Sequence, residues 1–161
     1  MRSFTTLPSP IGPLTLVASP TALVEIRFAD DARPLAATRD DAHPILARAA
    51  AELTAYFAGT ARTFTVPLDG AGTAFQRDVW RALLDIPFAA TCGYGEVAAR
   101  IGRPSASRAV GAANGRNPIP IIVPCHRVIG KDGSLTGYGG GMAIKQWLLA
   151  HEAGGRPAAL A

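Results

Sequence analysis

The chain has few cysteines: two thiols, Cys92 and Cys125, in 161 residues. The two could in principle pair, but in a reducing compartment two free thiols are the expectation. No Cys-x-x-Cys pair or Cys/His cluster offers a zinc site, because His43, His126 and His151 lie far apart in sequence. Also lacking is any apolar run near the ~18 residues that span a bilayer, and the first six residues, Met1 to Thr6, form no apolar signal region. No cofactor motif is visible. These absences predict a cytoplasmic chain with free thiols, no membrane contact, no metal and no cofactor. No heptad or oligomerisation stripe interrupts the pattern, which predicts a monomer.

Charge is unevenly spread. Up to Gly72 there are six basic and seven acidic residues, a net of −1; from Thr73 onward there are ten and five, a net of +5. The second half is therefore the part suited to a polyanion such as nucleic acid.

The first half, residues 1–72, reads as a small α/β domain. Phe4–Leu7, Leu14–Ala18 and Leu23–Phe28 have strand character, the last with Leu23, Glu25 and Arg27 expected to alternate against Val24, Ile26 and Phe28, and with turn chemistry at Ser9-Pro10-Ile11-Gly12. Residues 30–41 read as a loop. Pro44 suits a first helical turn, and Ile45, Ala49, Leu53 and Phe57 make one apolar helical stripe ending at Gly59. Phe64–Leu68 is expected to add a further strand, and Asp69–Gly72 is the expected boundary. Nothing in this half carries chemistry: His43, Glu52 and Tyr56 read as surface or packing residues.

The second half, residues 73–161, is mainly helical. Thr73 is an N-cap for a helix presenting Phe75, Val79 and Leu83. Tyr94 to Gly102 and Ala106 to Asn114 read as two short helices joined at Arg103-Pro104, with Ser105 as the second N-cap, the outline of a helix-turn-helix. That second helix carries mostly small side chains, with Arg108 and Val110 the larger ones, and suits either close packing against another helix or a DNA groove about 6 Å wide. Beyond it, Asn117-Pro118-Ile119-Pro120 leads into Pro124-Cys125-His126-Arg127-Val128. Its prolines disfavour helix and set the cysteine on a stiff, extended, apolar segment beside a histidine. A bare pair of this kind fits an activated nucleophile or a buried structural thiol equally.

Taken together these residues resemble the active-site signature of the O6-alkylguanine-DNA alkyltransferases. Ser107-Arg108-Ala109-Val110-Gly111 is similar to that family's recognition helix. Gly137-Tyr138-Gly139-Gly140-Gly141 and Lys145 through Glu152 are similar to its C-terminal segment. The likeness runs from about Phe75 to Gly154 in order and spacing. It implies an α+β fold: an N-terminal lobe with a short antiparallel sheet and a winged-helix-like C-terminal lobe. The implied reaction is direct-reversal repair of O6-alkylguanine, and of O4-alkylthymine where accepted, in double-stranded DNA, with the base everted. The alkyl group moves once to Cys125. The rival functions are a lesion-binding relative without repair and a cysteine hydrolase.

The resemblance also implies roles for single residues. Cys125 is the nucleophile, activated through water by His126, which Glu152 orients. Tyr94 helps rotate the nucleotide, Arg108 fills the vacated stack, and Ser107 and Ala109 lie on the DNA face. Tyr94, Val128, Tyr138 and Gly139 form the substrate pocket, with the carbonyls of Cys125 and Val128 accepting the guanine amine. Asn117 braces the turn. Cys92 reads as a buried bystander.

Overall fold

The computed structural model describes residues 1–130, 138 and 140–160. The chain divides into two compact units, one of residues 1–70 joined by the terminus from Ala158, the other of residues 71–157.

The first unit is a four-stranded sheet carrying one helix. Strands β1 (Ser3–Leu7), β2 (Leu14–Ala18) and β3 (Leu23–Arg27) pair antiparallel, with Thr5 opposite Leu16 and Leu16 opposite Ile26. The β1–β2 turn closes through Gly12 N–H to the Ser9 carbonyl at 3.1 Å. There Gly12 takes φ +97°, a conformation open to glycine at little cost. A two-residue strand β4 (Thr38–Arg39) lies parallel to β1, giving the order β3-β2-β1-β4. The sheet is therefore mixed rather than wholly antiparallel, and β4 sits within the segment expected to be loop.

Helix α1 (Pro44–Phe57) packs on β1 to β3. His43 caps it by accepting the Ile45 N–H on Nδ1 at 3.1 Å, and proline occupies the first turn. Its buried residues are Leu46, Ala49, Leu53 and Tyr56. The stripe is thus rotated from the expected one, and Ile45 and Phe57 are half-exposed. Two further expectations fail here. Residues 64–68 form no strand; only an isolated parallel bridge joins Leu68 to Leu23, and Pro67 has no N–H to extend a ladder. β3 does not alternate, since Leu23 through Ile26 are all buried. Glu25 tolerates burial because Arg27 Nε and Arg33 Nη2 reach its carboxylate at 3.1 and 2.7 Å.

The second unit begins with α2 (Ala74–Leu83), where Thr73 and Gln76 form a reciprocal capping box. Trp80 donates its indole N–H to the Ala113 carbonyl at 2.9 Å. A two-residue strand β5 (Cys92–Gly93) precedes α3 (Tyr94–Arg100), which closes on Gly102 at φ +76°. Helix α4 is Ser107–Gly115. Ser105 is not its cap: Ala106 N–H closes a turn onto the Arg103 carbonyl at 2.9 Å, and Ala106 holds the cap position without a side-chain bond.

Residues 117–124 then turn inward, and β6 (Val128–Ile129) pairs parallel with β5. Helix α5 (Met142–Glu152) completes the unit. Residues 158–160 pack with the first unit rather than the second, Leu160 N–H donating to the Pro10 carbonyl at 2.7 Å.

Candidate active site

The site is built on a stiff loop. Asn117 spans it, its Nδ2 donating to the Val123 carbonyl at 2.8 Å and its Oδ1 accepting the Ile119 N–H at 3.0 Å. Ile121 is buried at φ +74°, which a β-branched residue adopts only under strain. Cys125, His126 and Arg127 form a 3-10 turn, not the extended chain read from the prolines. The turn closes with Val128 N–H on the Cys125 carbonyl.

This turn and the end of α5 meet in a buried charge cluster. His126 Nε2 lies 2.6 Å from Glu152 Oε2. Arg127 donates from Nε to Glu152 Oε1 at 2.7 Å and from Nη2 to Oε2 at 3.0 Å, with Nη1 on the Ile86 carbonyl at 2.7 Å. The Arg127 guanidinium also lies 5.7 Å from the Phe88 ring centroid. Burial would raise the Glu152 carboxyl, but hydrogen bonds from His126 and Arg127 outweigh it and hold the group well below the usual carboxylate range. Burial holds the His126 imidazole below its ordinary value, against the pull of Glu152. An ionised Glu152 facing a neutral imidazole makes Nε2 the protonated nitrogen. Nδ1 is buried and carries no hydrogen bond to the described residues.

Cys125 is buried, and burial pushes its thiol up to about 11, while the side chain of Asn117, the charge of Lys145 and the side chain of Tyr138 favour the thiolate. Lys145 is itself fully buried on α5, with Nζ donating to the Val128 carbonyl at 2.7 Å. Asn114, from α4, donates Nδ2 to the Cys125 carbonyl at 3.3 Å.

His126 and Glu152 are thus in direct contact, and Cys125 lies with Asn117, Tyr138 and Lys145. Val128 belongs to the same group through its N–H on the Cys125 carbonyl and its own carbonyl on Lys145, while the residues expected to meet DNA lie on α3 and α4. Ser107, Arg108 and Ala109 are exposed on the first turn of α4. Tyr94 is half-buried and its ring borders Gly111, where a Cβ would come within 3.7 Å of Cδ1. Tyr94 and Ser107 line a cleft of about 730 Å³ with Cys92 and Ile129. Gly139 lies outside the described residues. Cys92 is a buried free thiol 3.7 Å from Glu96 Oε2, and burial followed by that carboxylate raises its pKa. Among the described residues no group of three or more His, Cys, Asp or Glu side chains could hold a metal ion.

Sequence reasoning gave no role to Arg127, Lys145 or Asn114. One signal was present: Lys145, Leu148 and Glu152 recur at i, i+3 and i+7, a spacing that puts two charges on the buried face of α5.

Fold and site define a two-unit α+β protein organised around a buried cysteine, histidine and carboxylate. The second unit matches the family model described as 6-O-methylguanine DNA methyltransferase, DNA binding domain, over residues 74–154, and the first matches the ribonuclease-like domain of the same name over residues 3–70. A methylated-DNA–protein-cysteine methyltransferase of Mycolicibacterium paratuberculosis is 50% identical over 161 residues, covering 99% of this chain and 98% of the relative. One of Methanosarcina acetivorans is 48% identical over 143 residues, 88% of this chain and 92% of the relative. The crystal structure of Mycobacterium tuberculosis OGT in complex with DNA superimposes with TM-score 0.89 at 49% identity, covering 98% of this chain and 96% of that one. The chain belongs to the 6-O-methylguanine DNA methyltransferase family, the methylated-DNA–protein-cysteine methyltransferases.

Proposed function

We propose that this protein repairs alkylated DNA directly, taking the alkyl group from O6-alkylguanine, everted from double-stranded DNA, onto Cys125 once per molecule. The observation that carries the reading is the 2.6 Å contact between His126 and Glu152, which ties the turn holding the buried thiol to the end of α5. Glu152 fixes the proton on Nε2 and leaves the Nδ1 lone pair as the base. Through one bridging water, Nδ1 draws the proton from Cys125, and Glu152 stabilises the imidazolium that forms. Lys145 favours the thiolate. The Sγ–carbon bond forms as the carbon–O6 bond breaks, and the electron pair leaves on the guanine oxygen. The base then takes up one proton, matching the one lost by the thiol. The product thioether has no exchangeable bond, so the reaction ends there.

The thiol protonated at rest protects the nucleophile until the base arrives. Tyr94 and Arg108 act on the everted nucleotide and the gap it leaves, and Ser107 and Ala109 contact the duplex. Tyr138 and Val128 enclose the base, and the carbonyls of Cys125 and Val128 accept its amine. The boundary between the two domains falls near residue 72. One chain holds all of this machinery, so it works as a monomer, and the free thiol it consumes suits a reducing cytoplasm.

The test is mass spectrometry after incubation with a duplex containing O6-methylguanine. The expected result is a stoichiometric gain of one methyl, ~14 Da, on Cys125, absent from Cys125→Ser. Turnover without a lasting adduct would identify a hydrolase; affinity without mass change would identify a lesion-binding protein.

A further inference from the structure

Asn114 stands in the last turn of α4, where the next two residues, Gly115 and Arg116, are exposed. Its own side chain is turned inward, and the residue is 2% exposed. Nδ2 donates to the Cys125 carbonyl at 3.3 Å, while Oδ1 is buried without a partner. An unpaired buried acceptor is unfavourable, so the amide's positive contribution is the bond to Cys125. Trp80 anchors the same turn of α4 through the adjacent Ala113 carbonyl, which gives that bond a fixed mounting.

The carbonyl it holds belongs to a three-residue 3-10 turn, whose own hydrogen-bond geometry is poor. Asn114 restrains the tilt of this peptide plane from one side. Lys145, from α5, does the same for the Val128 carbonyl at 2.7 Å. Two backbone acceptors next to the thiol are therefore each clamped by one buried side chain from a different helix. On guanine the 2-amino group lies on the same ring edge as the alkylated oxygen. With the alkyl carbon facing Sγ, that edge runs along the cysteine's own backbone. The Asn114 bond is long at 3.3 Å, so it orients the oxygen, together with the Val128 N–H, while leaving acceptor capacity for the arriving amine.

We infer that Asn114 is a positioning residue: it aims the Cys125 carbonyl at the guanine amine and so sets the preference for guanine over a base lacking that amine. This rests on the alkyl-transfer reading above.

The experiment compares methyl-transfer rates from duplexes containing O6-methylguanine or O6-methylhypoxanthine, the same base without the amine. The wild-type protein should prefer the guanine substrate by about tenfold or more, the worth of one hydrogen bond. In Asn114→Ala the ratio should fall to within about threefold of one, through a slower guanine reaction, while thiol alkylation by iodoacetamide stays within about twofold. Asn114→Asp keeps the shape but replaces the donor by an acceptor, and should show the same collapse if the alanine variant does not fold. A preference that persists or grows in the variants, equal slowing of both substrates, or a wild-type ratio near one overturns the inference. Failure of the wild-type protein to accept methyl from either duplex would instead remove the alkyl-transfer reading itself.

Discussion

The two units each contain a carboxylate gripped by arginine, and the bonds are nearly the same length. In the first unit Arg33 Nη2 reaches Glu25 at 2.7 Å and Arg27 Nε reaches it at 3.1 Å. In the second, His126 and Arg127 reach Glu152 at 2.6 and 2.7 Å. What differs is water: the Arg33 side chain is 65% exposed, whereas those of His126 and Glu152 are 0% and 1% exposed. Solvent screens the Arg33 arm of the first cluster, which ties the loop after β3 to the strand, although Glu25 and Arg27 are each only 11% exposed. The second is charge taken out of water, where removing one partner leaves the others uncompensated. Burial, not bond length, turns one cluster into a device that fixes a histidine tautomer.

Removing the buried carboxylate is the strongest way to break this contrast. Glu152→Gln should destabilise the second unit by ~3–5 kcal/mol, because Arg127 loses its counter-charge. It should slow alkyl transfer by ~10²-fold, because the imidazole loses its orienting partner. Thermal melts and single-turnover rates on O6-methylguanine DNA check both, and a variant that melts and reacts like the wild type would show the cluster to be passive.

Next in size is the response to pH. Glu152 is held below its ordinary value, so its contribution is complete above the unfolded value and drains away below pH ~4–5. His126 is also held low, so the unfolded chain takes up a proton that the folded imidazole refuses, and a loss begins below pH ~6.5. Cys125 runs the other way. With its folded value raised from 9.0 to about 11, stability is full below pH 9.0 and falls as pH rises through that interval. Melting curves across this range should show a larger alkaline loss in the wild-type protein than in Cys125→Ser, where Cys92 is the raised thiol that remains.

A smaller effect is expected at the DNA face. Arg108→Ala should slow repair of duplex DNA by ~10-fold while leaving reaction with the free base nearly unchanged, since the inserted side chain acts on the stack and not on sulfur. Equal slowing of both reactions would contradict that role. Smallest of all, Arg33→Ala in the exposed cluster should cost below ~1 kcal/mol, and the cost should shrink further in high salt. A loss as large as that of Glu152→Gln would erase the distinction between the two clusters.

Much of the fold is readable from local chemistry. Thr73 and Gln76 mark the start of α2, Pro44 that of α1, and Gly102 the end of α3, because each satisfies or relieves the chain end beside it. Strand β4 escapes such reading: two residues carry no periodicity, and Thr38–Arg39 is a strand only because β1 lies alongside. The rotated stripe of α1 has a similar origin. Leu46 and Tyr56 face the sheet where Ile45 and Phe57 fit the periodic pattern equally well. Within the site, the Cys125–His126 adjacency is visible in the chain, and Glu152 is reached through the likeness of the α5 segment. The partnership of Glu152 with Arg127 is not visible, since 25 residues separate them.

By itself the sequence determined which atoms are available: a thiol next to an imidazole on a proline-stiffened segment, a basic second half, and a thin helix carrying one arginine. Only the tertiary structure decided their state. It turned residues 125–127 into a 3-10 turn, closed His126 and Arg127 onto Glu152, and set Asn114 and Lys145 on the two neighbouring carbonyls. The reason is physical. Covalent order fixes which groups exist, but proton affinities and hydrogen-bond partners depend on distance and on exclusion of water, and both are settled only when remote segments pack.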